Sequence, residues 1–179
     1  VVKNVFAVVA GFVVIGLGCR VGIGGIIQEI GEAVARFALG SLLDVAKRAI
    51  VESEERINDI VVDLLNHYKE QILPNGFKAQ IVCVSREACV KYYNALNNHI
   101  ENILGAGFEA KVIFSGKNND LPHLKKHFTT KAEQEALINR FKQPLNKDKL
   151  SFLIVKDMLL TGFDAPIEQV MYLDRPLKE

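Results

Sequence analysis

The stretch that decides the fold is residues 79–114, which read AQIVCVSREACVKYYNALNNHIENILGAGFEAKVIF. It begins with a short apolar run over residues 79–84, which predicts a buried strand. Ser85 is a natural N-cap for a helix over residues 86–104, and the Gly-Ala-Gly that follows ends that helix. Residues 110–114 are again apolar and predict a second strand. A strand, a helix and a strand in this order favour a right-handed crossover and a parallel sheet.

The same alternation of helices and strands continues on both sides of this stretch. Thr130 caps the later helix, and Glu133 at its third position completes a capping box. The apolar runs do not alternate with polar residues, which is typical of strands covered on both faces. The predicted fold class is therefore α/β, with a parallel sheet and flanking helices. The additional elements predicted are helices over residues 51–73 and 131–141, strands over 151–155 and 169–173, and one helical turn over 157–160.

The first fifty residues differ from the rest of the chain. Residues 5–19 form an apolar run without a charge, and Arg20 interrupts it before it reaches the roughly 20 residues that a spanning helix needs. Residues 26–50 carry apolar side chains at spacings of three and four, which predicts an amphipathic helix, either continuous or broken at Gly40. We therefore expect a domain boundary at this point. The two predicted domains are residues 1–50 and 51–179.

Charge and cysteine content exclude several classes of protein. The chain carries 22 Lys and Arg against 21 Asp and Glu, a net charge of +1. This balance excludes a strongly basic nucleic-acid coat but not a local basic patch. The three Cys residues show no metal-binding or disulfide spacing, so we expect reduced thiols and a cytoplasmic protein. His123 and His127 lie four residues apart, but two lysines between them disfavour a shared metal, and we predict none.

Polar residues follow each of the four predicted strands. In a parallel α/β sheet, ligands bind at the carboxyl ends of the strands, which meet at one edge. Lys, Arg, Ser and Gly at these positions favour an edge that faces phosphate groups. A structural interpretation, with Ser85 only as an N-cap and Arg86 as a solvated side chain, stays open. The dipeptides at this edge are Ser85-Arg86, Ser115-Gly116, Lys156-Asp157 and Asp174-Arg175.

Two segments near the end of the chain resemble a known family. Residues 152–166, FLIVKDMLLTGFDAP, and residues 170–178, VMYLDRPLK, resemble motif V and the approach to motif VI of superfamily-two helicases. The likeness is strongest to the motor (R) subunit of type I restriction enzymes. Residues 79–93, 114–120 and 130–141 are similar to further segments of that family. The resemblance therefore extends over about residues 53–179 and implies part of a second RecA-like motor lobe.

The resemblance also implies roles for individual residues. Those that match motif V would couple DNA to the nucleotide, and the Asp of that motif would face the nucleotide cleft. Structural interpretations stay open here too, since Thr161 and Gly162 also suit a helix C-cap and Asp164 suits a turn before Ala-Pro. The DNA-contacting residues implied are Ser85, Arg86, Ser115, Gly116 and Thr161, and the nucleotide-cleft residues implied are Gly162 and Asp164.

The function implied by the resemblance belongs to a larger assembly. The complete subunit would use ATP and Mg²⁺ to translocate double-stranded DNA, together with modification and specificity subunits and with a nuclease domain. This sequence holds no phosphate-binding loop and no acidic box, which the family carries in its first lobe, so we expect no ATP hydrolysis by the chain alone. The alternative function is a non-catalytic α/β binding module with a membrane-binding or partner-binding N-terminal helix.

Overall fold

The computed structural model describes residues 23–116, 120–160 and 162–175, with side chains from residue 34 onward. The chain divides into two compact units, Val1–Ala46 and Lys47–Glu179. Helix α1, Ile23–Val51, is continuous through Gly40, which confirms the first of the two alternatives predicted for this helix. The domain boundary predicted at residue 50, and the RecA-like assignment of the part that follows it, stay predictions.

The described side chains of the first unit are exposed. Phe37 is 80% exposed, and several other large apolar side chains of α1 are also open to solvent. Within the described residues, no helix has the length and apolar content to cross a membrane. The apolar run over residues 5–19, on which the membrane alternative depends, lies outside the described residues.

The second unit contains helices that alternate with four strands. Its first helix continues into a π-helical turn, Tyr68–Ile72, and a 3₁₀ turn, Leu73–Asn75, before Gly76 ends it in the left-handed region at φ 77°. The elements are α2 (Glu54–His67), β1 (Lys78–Cys83), α3 (Arg86–Leu104), β2 (Glu109–Ile113), α4 (Pro122–Lys125), α5 (Lys131–Phe141), β3 (Leu150–Val155) and β4 (Glu168–Asp174).

The four strands form one all-parallel sheet in the order β2-β3-β1-β4. Ile81 of β1 lies between Ile154 of β3 and Tyr172 of β4. Every residue of β1 and β3 is buried, because apolar layers cover both faces of the sheet. The α/β prediction with a parallel sheet and flanking helices is confirmed.

Two local predictions were made from capping residues, and both are confirmed. The Ser85 hydroxyl accepts a hydrogen bond from the Ala88 amide at 3.1 Å and caps α3. The Thr130 hydroxyl caps α5, and the Glu133 carboxylate accepts a hydrogen bond from the Thr130 amide at 2.7 Å. Such local contacts depend only on spacing along the chain, so the sequence is sufficient to predict them.

The prediction for the connection after β3 is wrong. Residues 157–160 form bends and no helical turn, with Leu159 at φ 62°. The apolar side chains of Met158, Leu159 and Leu160 pack against the buried cluster around Phe141, and this packing outweighs the local helical preference. The polar stretch after β2 contains the short helix α4, which begins with a proline at its first position.

Among the described residues, Gln80 has a buried side-chain amide without a hydrogen-bond partner. Gln80 in the middle of β1 is fully buried, and neither its amide nitrogen nor its amide oxygen has a partner. Burial of an amide without hydrogen bonds opposes folding by about 1–3 kcal/mol. The unpaired Gln80 amide therefore lowers the free energy of unfolding.

Replacement of Gln80 by Met tests this interpretation. Met has a similar length and no polar group to desolvate, so we expect Q80M to raise the free energy of unfolding by about 1 kcal/mol. Urea denaturation followed by circular dichroism would measure the change. The exposed Gln143 provides the matched control, because Q143M removes the same amide from a solvated position and should leave the stability unchanged. A loss of stability in Q80M alone would contradict the interpretation.

Candidate functional site at the carboxyl edge of the sheet

The parallel topology brings residues from separate crossovers together at the carboxyl edge. Arg86 follows β1 and forms an ion pair with the Asp120 carboxylate, and it also donates to the Ser115 carbonyl oxygen at 3.5 Å. Arg175 follows β4 and donates to Asp157 Oδ1 at 2.9 Å. Because the order is β2-β3-β1-β4, each arginine reaches across the end of one intervening strand. The edge is thus cross-linked by two ion pairs.

Among the described residues of the edge dipeptides, Arg86, Lys156 and Arg175 each have a carboxylate partner. Besides the two arginines, Lys156 Nζ lies 2.5 Å from Asp157 Oδ2, so Asp157 is shared by Lys156 and Arg175. These ion pairs lower the pKa of the Asp157 carboxyl below its ordinary value. A phosphate that binds one of these three cations would therefore exchange with its carboxylate partner.

Ser85 lies within the edge and is 8% exposed. Its hydroxyl accepts from the Ala88 amide and donates to Glu52 Oε1 at 2.5 Å. The same Glu52 oxygen lies 3.0 Å from Arg48 Nε. The N-cap interpretation of Ser85 is therefore confirmed, and its predicted contact with nucleic acid stays a prediction.

Gly116 has a packing reason to be glycine. A Cβ atom added to this residue would lie 2.7 Å from two ring carbons of Phe128. The neighbouring Ser115 hydroxyl lies 3.5 Å from the Met158 sulfur, which connects this turn to the connection after β3. The structure thus places Ser115 and Gly116 beside Arg86, as the topology of the edge predicts.

Two further residues of the segment that matches motif V, Gly162 and Asp164, lie later in the connection between β3 and β4. Gly162 adopts φ 69°, a conformation that favours glycine, and Asp164 is exposed. Asp164 lines a cavity of about 290 Å³ together with Gln80 and Glu168, near the start of β4. The same cavity is lined by Leu159 and Leu160 from the connection after β3 and by Met171 in the middle of β4. Thr161 lies outside the described residues.

A buried network at the end of β4 was not predicted. Asp174 accepts hydrogen bonds from Arg56 at 2.5 and 3.1 Å and from the Tyr92 hydroxyl at 2.9 Å. These contacts raise the pKa of Arg56, and burial raises the pKa of Tyr92. The three side chains line an open cleft of about 520 Å³. Asp174 therefore ties β4 to α2 and α3, and no local spacing signals a contact between residues so distant in sequence.

The two histidines considered as metal ligands have different neighbours. His123 Nε2 lies 2.7 Å from a Glu87 carboxylate oxygen, whereas the His127 ring packs edge-on against Tyr93 at 5.2 Å. Burial is the main cause that lowers the pKa of His127. In the part of the chain that the structure describes, no three His, Cys, Asp or Glu side chains are grouped to hold a metal ion.

The fold defines the class of protein, an α/β domain built on one all-parallel sheet with flanking helices. Residues 122–179 match the family described as type I restriction enzyme subunit R, domain 3. The chain is 36% identical over 135 residues to the type I restriction enzyme HindI endonuclease subunit of Haemophilus influenzae, a match that covers 74% of this chain and 13% of that protein.

Two relatives from Methanocaldococcus jannaschii are similar over the same share of the chain. The MjaIXP endonuclease subunit is 31% identical over 129 residues, 72% of this chain and 12% of that protein. The MjaVIIP endonuclease subunit is 32% identical over 140 residues, 73% of this chain and 13% of that protein. The chain belongs to the family of type I restriction enzyme R subunits, as its sequence predicts, and spans a small part of their length.

The steric contact at Gly116 generates one prediction. We expect G116A to lower the free energy of unfolding by about 1–3 kcal/mol, because the new methyl group displaces the Phe128 ring. Combination with F128L should recover part of this loss, which a double-mutant cycle of urea denaturation would measure as coupling. G40A is the contrasting variant, since no atom lies within 4 Å of an added Cβ there and Ala suits a helix interior better than Gly, so this change should not lower the stability. Strictly additive losses in the cycle would contradict this explanation.

The cavity near β4 generates a prediction about pH. Burial raises the pKa of Glu168 to about 7, above its ordinary value of 4.5. The folded chain therefore holds this proton more tightly than the unfolded chain, and the resulting stability is lost as the pH rises through about 7. We expect wild type to lose stability relative to E168Q between pH 5 and pH 8, measured by urea denaturation at each pH. Parallel pH profiles of the two proteins would show that Glu168 is not responsible.

Proposed function

We propose that the chain is part of the ATP-dependent DNA-translocating motor of a type I restriction endonuclease, in which its carboxyl edge contacts the DNA backbone. The observation that carries the proposal is the meeting of Arg86 and Ser115 at this edge, in a chain of the R-subunit family. The residues proposed to contact DNA are Ser85, Arg86, Ser115, Gly116 and Thr161.

The chemistry of the edge suits a sequence-independent grip on DNA. A guanidinium binds phosphate and carboxylate with the same donor geometry, so a DNA phosphate can replace Asp120 as the partner of Arg86. Contacts of this kind position the duplex and carry no direct sequence information. Recognition of a DNA site would then belong to the specificity subunit, and methylation to the modification subunit, of a cytoplasmic restriction complex.

The nucleotide cleft belongs to the same proposal. Gly162 permits the chain to turn at φ 69°, and the exposed Asp164 carboxylate can accept hydrogen bonds from a ribose hydroxyl. ATP and Mg²⁺ would be held mainly by the remainder of a complete subunit. The chain would supply one wall of this cleft and would hydrolyse no ATP by itself.

A second candidate function is supported by α1. Its exposed apolar side chains, with Phe37 80% exposed, suit an α/β module that binds a partner protein through this helix. Such a module would bind its partner without a requirement for DNA, and its affinity would depend little on salt.

Fluorescence anisotropy with a short labelled duplex tests the proposed function. We expect the affinity of the chain to fall steeply between about 50 and 200 mM salt, as phosphate contacts require. R86Q should weaken binding and lower the salt dependence by about one ion, because it removes one phosphate contact. K69Q is the matched control, since it removes the same charge from an exposed position in the turn that precedes β1.

If R86Q and K69Q weaken DNA binding to the same extent, the carboxyl edge has no special role. If the chain instead binds a partner protein through α1, independently of salt, and does not bind DNA, the partner-binding module is favoured.

A further inference from the structure

The hydroxyl of Ser85 is already used within the chain. It donates its proton to Glu52 Oε1 at 2.5 Å and accepts the Ala88 amide hydrogen at 3.1 Å. A serine hydroxyl has one proton to donate, so it cannot donate to Glu52 and to a phosphate at the same time. Glu52 and a phosphate are therefore mutually exclusive partners of Ser85.

We infer that Glu52 is an autoinhibitory residue, whose carboxylate occupies the place of a DNA phosphate at Ser85 until DNA displaces it. This inference rests on the proposed function, because it takes Ser85 as a contact to the DNA backbone. The proposed function by itself includes no residue that competes with DNA for Ser85. Glu52, the competing residue, belongs to the segment between α1 and α2, outside the crossovers that form the edge.

The surroundings of Glu52 resemble those of a bound anion. Its side chain is 13% exposed, and its carboxylate lies at the N-terminus of the 19-residue helix α3, where the helix dipole favours negative charge. Arg48 Nε is 3.0 Å away on the solvent side. A negative charge in this position attracts Arg48 and repels a phosphate that approaches Ser85.

The backbone around Glu52 is fixed independently of its carboxylate. Lys91 Nζ donates to the Glu52 carbonyl oxygen at 2.5 Å, and the Glu52 amide donates to the Arg48 carbonyl oxygen at 2.9 Å. Displacement therefore requires only a rotation of the Glu52 side chain. Arg48, which is mostly exposed, is one turn away on the same helix side and can keep the carboxylate paired after it leaves Ser85.

Substitution of Glu52 by Gln removes the negative charge of the side chain and keeps its shape. E52Q keeps an oxygen that can accept the Ser85 hydrogen bond but removes the negative charge that competes with phosphate. We expect E52Q to bind a short duplex about fivefold more tightly than wild type at low salt, a change of about 1 kcal/mol, as removal of one nearby charge repulsion implies. E52A provides a second variant, for which we also expect tighter binding.

Glu55 provides the matched control. It is exposed and three residues away, and E55Q changes the net charge by the same amount. E55Q should therefore raise the affinity less than E52Q does. Thermal unfolding monitored by circular dichroism would establish that each variant is folded before its affinity is compared.

Three outcomes distinguish the inference from the proposed function. Tighter binding by E52Q than by E55Q, with weaker binding by R86Q, supports both. Equal affinities of E52Q and E55Q, with weaker binding by R86Q, overturn the autoinhibitory role and leave the proposed function intact. DNA binding that R86Q does not weaken beyond the K69Q control overturns both.

Discussion

The structure depends on the burial of β1 between β3 and β4. Parallel pairing on both sides of this strand satisfies its backbone groups, and apolar clusters on both faces exclude water from it. Because β1 is central, its carboxyl end lies between the ends of the neighbouring strands. Ser85 and Arg86 follow it directly, so the position of the candidate site is a consequence of this pairing. The unsatisfied Gln80 amide in the same strand shows that the central position also has an energetic cost.

The sequence predicted the parts of the fold that depend on local spacing. Apolar runs predicted the strands, and the caps at Ser85 and Thr130 predicted where two helices begin. It did not predict the contact of Asp174 with Arg56, because 118 residues separate the two and only the tertiary fold brings them together. The connection after β3 was wrong for the same reason, since packing against Phe141 decided its conformation.

The sequence predicts which residues lie at the candidate site, but it does not predict their ion pairs and hydrogen bonds. The topology places Arg86 beside Ser115 as expected, yet no local pattern indicates that Asp120 pairs with Arg86 and that Glu52 accepts from Ser85. Asp164 lines a cavity beside β4 that contains neither Arg86 nor Ser115. Under the proposed function, DNA and nucleotide would therefore contact different residues of this chain. In this account the carboxylates keep the edge ordered and electrically balanced before DNA arrives.

The central claim is that DNA binds the carboxyl edge of the sheet. Hydrogen–deuterium exchange of the whole chain, with and without a short duplex at low salt, tests it most directly. The account predicts slower exchange on DNA addition for the amides that follow β1 and β2, around Arg86 and Gly116, with no change in the turn between α2 and β1. Protection confined to that opposite turn, or to α1, would contradict the account.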